Sequence, residues 1–323
     1  LGCNIIELNI ICGGAKRLSK LTLSFSGVMR KNHYDLVHIN TGNLTIEAIA
    51  LQCAVMEKIP FRLAHSHGTV YRTGKLQEMV RSFLRSRINS CATHKLACST
   101  TAAEALFGKG HTAQVIIAKN GIDANKYFYD SKVRDEVRNE NGWGDSYVIG
   151  SVGRLAPEKN YRFVIHIFAK LHRKVPNSKL VLIGDGEKRA ELEKEAKRHQ
   201  LQSAIDFLGI RKDVPRLLQG LDVFILASKR EALGIVNIEA QATGLPCVVS
   251  DVVSKEVDLT GNVLFVDLEA GDDAWTNALL SFKDAMGRKS MVDKVKDSGY
   301  DFSTSYTVIN DLYHMNIDGR HRA

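Results

Sequence analysis

Two carboxylates in the second half of the chain could share one ligand. Glu231 and Glu239 lie eight positions apart within the segment 228–246. Glu231 follows an apolar strand pattern at 222–227, and Glu239 falls just over one turn into the helix pattern that comes next. Because the N-terminus of a helix carries partial positive charge, an anionic ligand lying across it could meet both side chains.

The start of that helix predicts a site for a phosphate or a sugar hydroxyl. Backbone amides of the first helical turn have no partner within the helix, and here they belong to Leu233, Gly234 and Ile235. Glu239 would be free to accept hydrogen bonds from a ribose. Glutamates at this spacing are also common on solvated helix faces, so the pair alone leaves both interpretations open.

A cationic loop earlier in the chain supplies the opposite charge. An apolar strand pattern at 147–152 leads into Arg154 and Lys159, which an amphipathic helix pattern at 161–171 follows. In an open parallel sheet, ligands bind beyond the carboxyl ends of the strands, so the two cations should reach the same edge as the first carboxylate. Arginine can bind a diphosphate through two hydrogen bonds, and lysine adds a point charge. Taken alone, such a pair is more often a solvated surface feature.

Together these segments resemble the glycosyltransferase family 4 pattern. Members of that family transfer sugars with retention of configuration, and they have the GT-B architecture, an α/β fold of two Rossmann-like domains whose parallel sheets face each other across a cleft. The sequences at 209–215 and 244–251 are most similar to the bacterial exopolysaccharide and capsule branch. The resemblance is carried by residues 34–40, 62–68, 96–99, 120–123, 152–160, 180–187, 207–215, 231–246 and 247–251.

The resemblance implies a role for each candidate residue of the second half. Arg154, Lys159 and the amides near Gly234 would stabilise the charge that grows on the leaving phosphate. Glu231 would bind hydroxyls of the donor sugar, and Glu239 would bind the ribose. The other implied nucleotide-binding positions are Gly153, Gly184 and Gly186, with Arg211 in the segment 209–214 beside the base.

The first half would contribute a histidine to the reaction. His67 lies after a strand pattern, where the family's cleft histidine usually precedes a turn, and His65 is the second choice. Backbone partners could instead satisfy both rings. Since no Asp-x-Asp occurs at a strand end, the donor site is expected to need no divalent metal.

The activity implied by the resemblance is transfer of a hexosyl or N-acetylhexosaminyl group with retention, in exopolysaccharide or capsule synthesis. The donor would be a nucleotide diphosphate sugar, with a UDP-sugar preferred, and the acceptor would be a saccharide or a lipid-linked saccharide. The donor is a substrate, so no permanently bound cofactor is expected.

Other functional classes make different predictions. The main alternative is a catalytically inactive, nucleotide-sugar-binding subunit, which would bind nucleotide without turnover. A nucleotide-sugar epimerase shares the two-domain architecture and would form product without an acceptor. A dinucleotide-dependent oxidoreductase is disfavoured because no third glycine follows Gly184 and Gly186 at the required spacing. A glycosidase is disfavoured because Glu231 and Glu239 would bind ligand hydroxyls instead of bracketing a water.

Positive charge is concentrated in the first half. Residues 1–125 contain 15 Lys and Arg against 7 Asp and Glu, which accounts for all of the formal net charge of +8. Residues 75–88 predict a basic amphipathic helix that could dock on an anionic membrane surface or could equally pack into the core. Its apolar stripe is Leu76, Met79 or Val80, Phe83 or Leu84, and Ile88. Nucleic acid is not an expected partner, since no aromatic stacking strand or zinc pattern accompanies the charge.

Composition is that of a globular α/β protein. The chain has 323 residues, of which 44% are hydrophobic, and no apolar run approaches the length needed to span a bilayer. The six cysteines form no regular framework, which favours a reducing compartment. A cytoplasmic location is therefore expected, with peripheral attachment to the inner face of the plasma membrane.

Alternating strand and helix patterns predict parallel βαβ units throughout. The predicted strands are 36–39, 61–64, 95–98, 113–117, 147–152, 179–183, 204–208, 223–226, 246–249 and 263–266. We expect an acceptor-side domain at 1–125, a polar hinge at 126–146, a donor-binding domain at 147–302 and a C-terminal helix at 303–323 that returns to the first domain. Two departures from the family pattern stand out. Ala232 takes the place of a usual glycine, and the 19 residues between Gly14 and Tyr34 are fewer than a βαβ crossover needs. The first βαβ unit is therefore expected to be missing.

Overall fold

The structure is a computed structural model that describes residues 14–68, 74–231, 233–284 and 287–318. The chain forms two compact units. The first comprises the residues up to Lys119 together with those from Val308 onward, and the second comprises Asn120–Thr307. Ala232, which the sequence singled out, lies outside the described residues.

The first unit is a four-stranded parallel sheet with helices packed on it. The strands pair in the simple order β1-β2-β3-β4. They are β1 Leu36–Thr41, β2 Phe61–Ser66, β3 His94–Ala97 and β4 Ile116–Ile117. The helices are α1 Gly14–Asn32, α2 Leu44–Met56, α3 Lys75–Cys91 and α4 Thr100–Phe107. Side chains of Asn43 and Ser99 cap the backbone amides at the start of α2 and α4, which fixes where these two helices begin.

The second unit is a six-stranded parallel sheet in the order β10-β9-β8-β5-β6-β7. The strands are β5 Tyr147–Val152, β6 Ser178–Ile183, β7 Ile205–Gly209, β8 Val223–Leu226, β9 Cys247–Ser250 and β10 Val263–Val266. The helices are α5 Ser131–Glu140, α6 Tyr161–Lys174, α7 Arg189–Arg198, α8 Val214–Gly220, α9 Ile235–Ala242, α10 Gly271–Leu280, α11 Val292–Asp297 and α12 Phe302–Asp318, whose last part belongs to the first unit.

The second sheet is buried on both faces. All six residues of β5 are buried. Because successive side chains of a strand point to opposite faces, Val148 contributes to one apolar core and Ile149 to the other. The run is therefore continuously apolar, as expected for a central parallel strand covered by helices on both sides.

The strand order changes direction at β5. From β5 the chain proceeds outward to β6 and β7, and it then returns to place β8, β9 and β10 on the other side. The connections that follow the neighbouring strands β5 and β8 therefore lead in opposite directions along the sheet. Such a switch point opens a crevice beyond the carboxyl ends of the strands, where ligands of doubly wound sheets bind.

The predicted fold class is confirmed, and nine of the ten predicted strands occur with small shifts at their ends. The tenth, expected at 113–117, is wrong for its first residues, because 109–114 form a 3₁₀ turn and only Ile116–Ile117 pair. Gly108 begins that turn with a φ of 85° and accepts a hydrogen bond from the amide of His111. The segment 126–146, expected to be a hinge, contains α5, which packs on α8 within the second unit.

The predicted apolar stripe of α3 is buried in one half of the helix and exposed in the other. Ile88 is fully buried and Leu84 packs against the core of the first unit. The large apolar side chains of the first three turns are exposed instead, namely Leu76, Met79, Val80 and Phe83. The helix therefore anchors itself through its C-terminal half and leaves the N-terminal half uncovered by the described residues.

Asp222 joins three elements of the second unit. Its carboxylate accepts hydrogen bonds from Arg134, from Arg138 at 3.2 Å and from the backbone amide of Val148 at 2.7 Å. Arg138 is only 8% exposed, so its charge depends on this partner.

We expect Asp222→Ala to destabilise the second unit by about 3 kcal/mol, because it leaves a buried guanidinium without its carboxylate. Urea unfolding followed by tryptophan fluorescence measures this, since Trp143 and Trp275 both lie in the second unit. Asp273→Ala is the control, because that exposed carboxylate pairs only with Lys170 on the surface. Equal stability of the two variants would contradict the role given to Asp222.

Candidate functional site

Lys159 and Glu231 meet at the switch point of the second sheet. Lys159 ends the 3₁₀ turn Pro157–Lys159 that follows β5, and Glu231 lies in the loop that follows β8. Lys159 Nζ donates to Glu231 Oε2 at 2.5 Å, and the side chains are only 19% and 17% exposed. A partly buried pair is screened less by salt than a surface pair, so the two charges hold each other in a defined position.

Backbone and hydroxyl contacts reinforce the meeting of these two loops. The amide of Lys229 donates to the carbonyl of Glu158 at 2.8 Å, which ties the loop after β8 to the loop after β5. The Ser228 hydroxyl lies 3.4 Å from Glu231 Oε2. The predicted cation and carboxylate are thus brought together on a frame that backbone hydrogen bonds hold.

Arg154 lies on the same loop but points elsewhere. Its guanidinium donates to Glu158 at 2.6 Å, and its side chain is 65% exposed. An exposed pair of this kind contributes little to stability, so the arginine can exchange its carboxylate for a ligand anion at small cost. The structure therefore places Arg154 near the edge as an exposed cation, whereas Lys159 is partly buried.

Close backbone packing explains the glycines at this edge. A Cβ on Gly184 would lie 2.0 Å from the carbonyl oxygen of Gly153, and one on Gly186 would lie 2.6 Å from that of Leu155. The amide of Leu155 also donates to Asp185 at 3.0 Å. The loops after β5 and β6 are thus in direct backbone contact, which accounts for Gly184 and Gly186 by packing. A Cβ on Gly153 would meet the Tyr161 hydroxyl at 3.0 Å.

The second carboxylate, Glu239, has a partner of its own. Glu239 lies on α9, and burial raises the pKa of its carboxyl, while a hydrogen bond from the Tyr127 hydroxyl opposes that shift. Tyr127 belongs to the turn Ala124–Tyr127 near the start of the second unit. Glu239 is therefore partly desolvated and has one fixed partner, an arrangement that leaves acceptor capacity for a ligand hydroxyl.

The amides predicted to bind phosphate lie at the start of α9. Gly234 is the N-cap in a left-handed conformation with a φ of 67°, and no side chain caps the helix there. Leu233 is buried and Ile235 is the first helical residue. Left-handed backbone favours glycine, and a Cβ on Gly234 would also lie 3.2 Å from Glu231 Cγ.

Arg211 lies beyond β7 and pairs with its neighbour. Its guanidinium donates to both carboxylate oxygens of Asp213, at 2.8 and 2.6 Å. Gly209, with a φ of 67°, ends β7, and its carbonyl accepts from the amide of Gly184 at 2.8 Å. The structure thus links the loops after β6 and β7, but it gives Arg211 no contact with Lys159 or Glu231.

His67 belongs to a cluster of three histidines in the first unit, of which His65 is buried and His38 and His67 are half-buried. The centroid of the His67 ring lies 4.2 Å from that of the His65 ring. His65 Nδ1 shares a hydrogen bond with His38 Nε2, with 3.1 Å between the two nitrogens. Burial, followed by the charges of the other two rings, lowers the pKa of His65 to about 3. Burial also lowers the pKa of His67. Both rings are therefore neutral at physiological pH.

One cluster of possible metal ligands occurs among the described residues. His166, Glu195 and His199 place their ligand atoms within 4.8 Å of one another on α6 and α7. Two arginines, Arg162 and Arg198, already contact the same carboxylate. Glu195 is therefore a carboxylate surrounded by cations and imidazoles, which accounts for the cluster as an ion-pair network.

Several contacts of the site were missed by sequence reasoning. Tyr127 reaches Glu239 from a turn 112 positions earlier, and His38 reaches His65 from the neighbouring strand. The alternation of β1 offered a signal for His38, because a histidine interrupts an otherwise apolar strand pattern beside the His65 strand. No local pattern marks Tyr127.

Comparison with known proteins places the chain among glycosyltransferases. Residues 133–262 match the family model described as glycosyl transferases group 1. The chain is 30% identical over 307 residues to EpsF of Bacillus subtilis (strain 168), which is named as a glycosyltransferase, and the match covers 92% of this chain and 79% of that protein.

A second relative has a more specific name. The chain is 25% identical to the UDP-Gal:alpha-D-GlcNAc-diphosphoundecaprenol alpha-1,3-galactosyltransferase of Escherichia coli, over 91% of this chain and 79% of that protein. Among solved structures, Anabaena Alr3699/HepE in complex with UDP superposes with a TM-score of 0.75 at 19% identity, covering 93% of this chain and 82% of that one. At that identity the structural likeness concerns the fold alone, which is GT-B.

The packing of the loops after β5 and β6 yields a stability prediction. Gly184→Ala should destabilise the second unit by about 3 kcal/mol or more, because its Cβ would collide with backbone and its φ of 135° is unfavourable for alanine. Gly261→Ala is the matched control, since Gly261 has a φ of 78° but open space around it, and it should cost about 1 kcal/mol. Urea unfolding monitored by tryptophan fluorescence distinguishes the two. Equal losses would show that the loops are not in close contact.

Proposed function

The chain belongs to the glycosyl transferases group 1 family, and from that membership we propose that it transfers a hexosyl or N-acetylhexosaminyl group, with retention, from a UDP-sugar to a lipid-linked or saccharide acceptor. The pathway we propose is exopolysaccharide or capsule synthesis. The observation that carries the proposal is the Lys159–Glu231 pair at the switch point of the second sheet.

The chemistry of sugar transfer explains why such a pair is useful. When the acceptor oxygen bonds to the anomeric carbon, the bond to the diphosphate breaks and negative charge grows on the leaving phosphate. Lys159 is held where that charge would develop, and Arg154 can turn from Glu158 to assist it. Cations that are already in position stabilise such charge most effectively, because little reorganisation is needed during the reaction. Glu231, which holds the lysine, would also accept hydrogen bonds from the donor sugar.

The preference for uridine rests on related proteins. The E. coli relative is named as acting on UDP-Gal, and the Anabaena protein was solved with UDP and with UDP-glucose. Within this chain we propose that Glu239 binds the ribose, that the start of α9 binds a phosphate or a sugar hydroxyl, and that Arg211 flanks the base. Nothing in this arrangement calls for a divalent metal, since two cationic side chains already serve the diphosphate.

We propose that the first unit binds the acceptor. A cavity of about 580 Å³ lies at the carboxyl edge of the first sheet, beside the ends of β1 and β2. One side of the cavity is polar, with Asn43, Thr45 and Ser66, while α3 supplies an apolar side. A cavity with these two sides suits an acceptor that has both a saccharide and an apolar part. His67, at the same edge, is our candidate to contact the acceptor hydroxyl.

The exposed half of α3 supports a membrane location for this acceptor. Leu76, Met79 and Phe83 are 75%, 69% and 66% exposed, and the helix carries four cationic residues against one glutamate. Apolar side chains beside cations favour the interface of an anionic bilayer. We propose that this exposed half of α3 attaches the protein to the membrane surface. Among the described residues, no helix combines the length and apolar character needed to cross a bilayer.

Two substitutions test the donor site. Glu239→Ala should weaken UDP binding by about tenfold or more, because it removes a hydrogen-bonding charge from the proposed ribose site. Arg154→Ala should lower kcat by about a hundredfold at saturating donor, because it removes a cation used mainly in the transition state. Isothermal titration with UDP and initial rates with UDP-sugars measure these effects. UDP binding without turnover on any acceptor would instead support the inactive binding subunit.

A vesicle assay tests the membrane surface. The double variant Met79→Ser with Phe83→Ser should bind vesicles containing phosphatidylglycerol about tenfold more weakly than the unaltered protein, because two apolar side chains no longer enter the interface. Leu23→Ser is the control, since Leu23 is 72% exposed on α1 of the same unit. Co-sedimentation measures the partition. Binding that is equal in all three proteins, or that ignores anionic lipid, would remove the proposal.

A further inference from the structure

A chain of hydrogen bonds connects the C-terminal helix to the histidine cluster of the first unit. The Tyr313 hydroxyl lies 2.6 Å from His38 Nδ1, and His38 Nε2 lies 3.1 Å from His65 Nδ1. Tyr313 belongs to the part of α12 that packs on the first sheet, against Leu36, Phe61 and Leu63. Strand alternation and register place His38, Leu63 and His65 on the same face of that sheet, the face that this part of the helix covers.

The chemistry of the three side chains decides which group donates in each of these hydrogen bonds. Burial raises the pKa of the Tyr313 hydroxyl, so it keeps its proton. A phenol is a good donor, and the lone pair of a neutral imidazole is a good acceptor, so Tyr313 donates to His38 Nδ1. A neutral imidazole carries one proton, which must then be on His38 Nε2. That proton is donated to His65 Nδ1, which leaves the proton of His65 on Nε2.

The opposite direction satisfies fewer groups. If His65 donated to His38 and His38 donated to Tyr313, the phenolic proton would have no acceptor in this chain of contacts, and the weaker acceptor would be used. Neutral rings are required in either direction, and burial together with the neighbouring rings lowers the pKa of both His38 and His65. The tautomers are therefore set by the tyrosine.

This series of hydrogen bonds ends at a buried ring nitrogen that has no partner among the described residues. His65 is 3% exposed, and among the described residues its Nε2 has no hydrogen-bond partner. The Nε2 of the adjacent His67 ring also has no hydrogen-bond partner in the described part of the chain. Leaving a buried donor unpaired costs free energy, so these two nitrogens mark a place where a ligand oxygen would be favourable.

We propose that Tyr313 is a positioning residue that, through His38, fixes His65 as the Nε2–H tautomer and so presents a hydrogen-bond donor to a substrate oxygen beside His67. The inference rests on the proposed function in one respect, because the oxygen is taken to be a sugar hydroxyl of the transfer reaction. The tautomers themselves are a property of the protein alone.

Nitrogen NMR of the histidine rings tests the tautomers without any assay of activity. Long-range ¹H–¹⁵N spectra of the full chain distinguish protonated from unprotonated ring nitrogens, and His38→Asn and His65→Asn assign the two signals. We expect neutral Nε2–H rings at both positions at pH 7. A neutral Nδ1–H ring at His65, or a charged ring there, would overturn the proposal in the unaltered protein.

Removing one oxygen atom tests the role of the tyrosine. Tyr313→Phe keeps the ring that packs on the sheet but removes the donor, so His65 should become a mixture of tautomers. Tyr306→Phe makes the same change at an exposed position of α12 and should leave the spectrum unaltered. Unaltered tautomers in Tyr313→Phe would overturn the proposal.

Kinetics with the same variants test the consequence for transfer. Tyr313→Phe should lower kcat about fivefold with the KM for the donor unchanged, because one hydrogen bond of the transition state is weakened. Tyr306→Phe should have the kcat of the unaltered protein. Altered tautomers with an unchanged kcat would overturn the positioning role. If the unaltered protein shows no transfer at all, the proposed function fails, while the NMR result still decides the tautomers.

Discussion

Lys159 and Glu231 lie 72 positions apart in the chain, and their side chains meet at 2.5 Å where the order of the second sheet changes direction. That meeting depends on the whole unit, because β5 and β8 must be neighbours for the two loops to approach each other. The buried strands position the two loops, and the hydrogen bond from the Lys229 amide to the Glu158 carbonyl holds the loops together. The charge at this edge is thus a product of sheet topology.

The same edge also depends on the absence of side chains. Gly153 and Gly184 bring two backbones so close that no Cβ fits between them, and this packing fixes the loop that carries Lys159. A cation held in this way keeps its position when a ligand arrives, whereas the exposed Arg154 must leave Glu158 first. The two cations therefore differ in how firmly they are positioned, a difference that the sequence pattern does not show.

Much of this arrangement could be predicted because it is encoded locally. Apolar runs such as 147–152 predict buried strands, and the rule for carboxyl ends predicts that Lys159 and Glu231 share an edge. Distant contacts that no rule of sheet topology covers could not be predicted. Tyr313 lies 275 positions from His38, and no periodicity in either segment links them. Which half of the apolar stripe of α3 is exposed also could not be predicted, since an amphipathic pattern does not state which residues find a neighbour.

We propose that the diphosphate of the donor binds beyond the carboxyl ends of the neighbouring strands β5 and β8. A crystal structure of the protein with UDP tests it most directly. We expect a phosphate oxygen within hydrogen-bonding distance of Lys159 or Arg154, with the ribose hydroxyls at Glu239. A nucleotide bound away from these side chains, with the Lys159–Glu231 pair untouched, would contradict it.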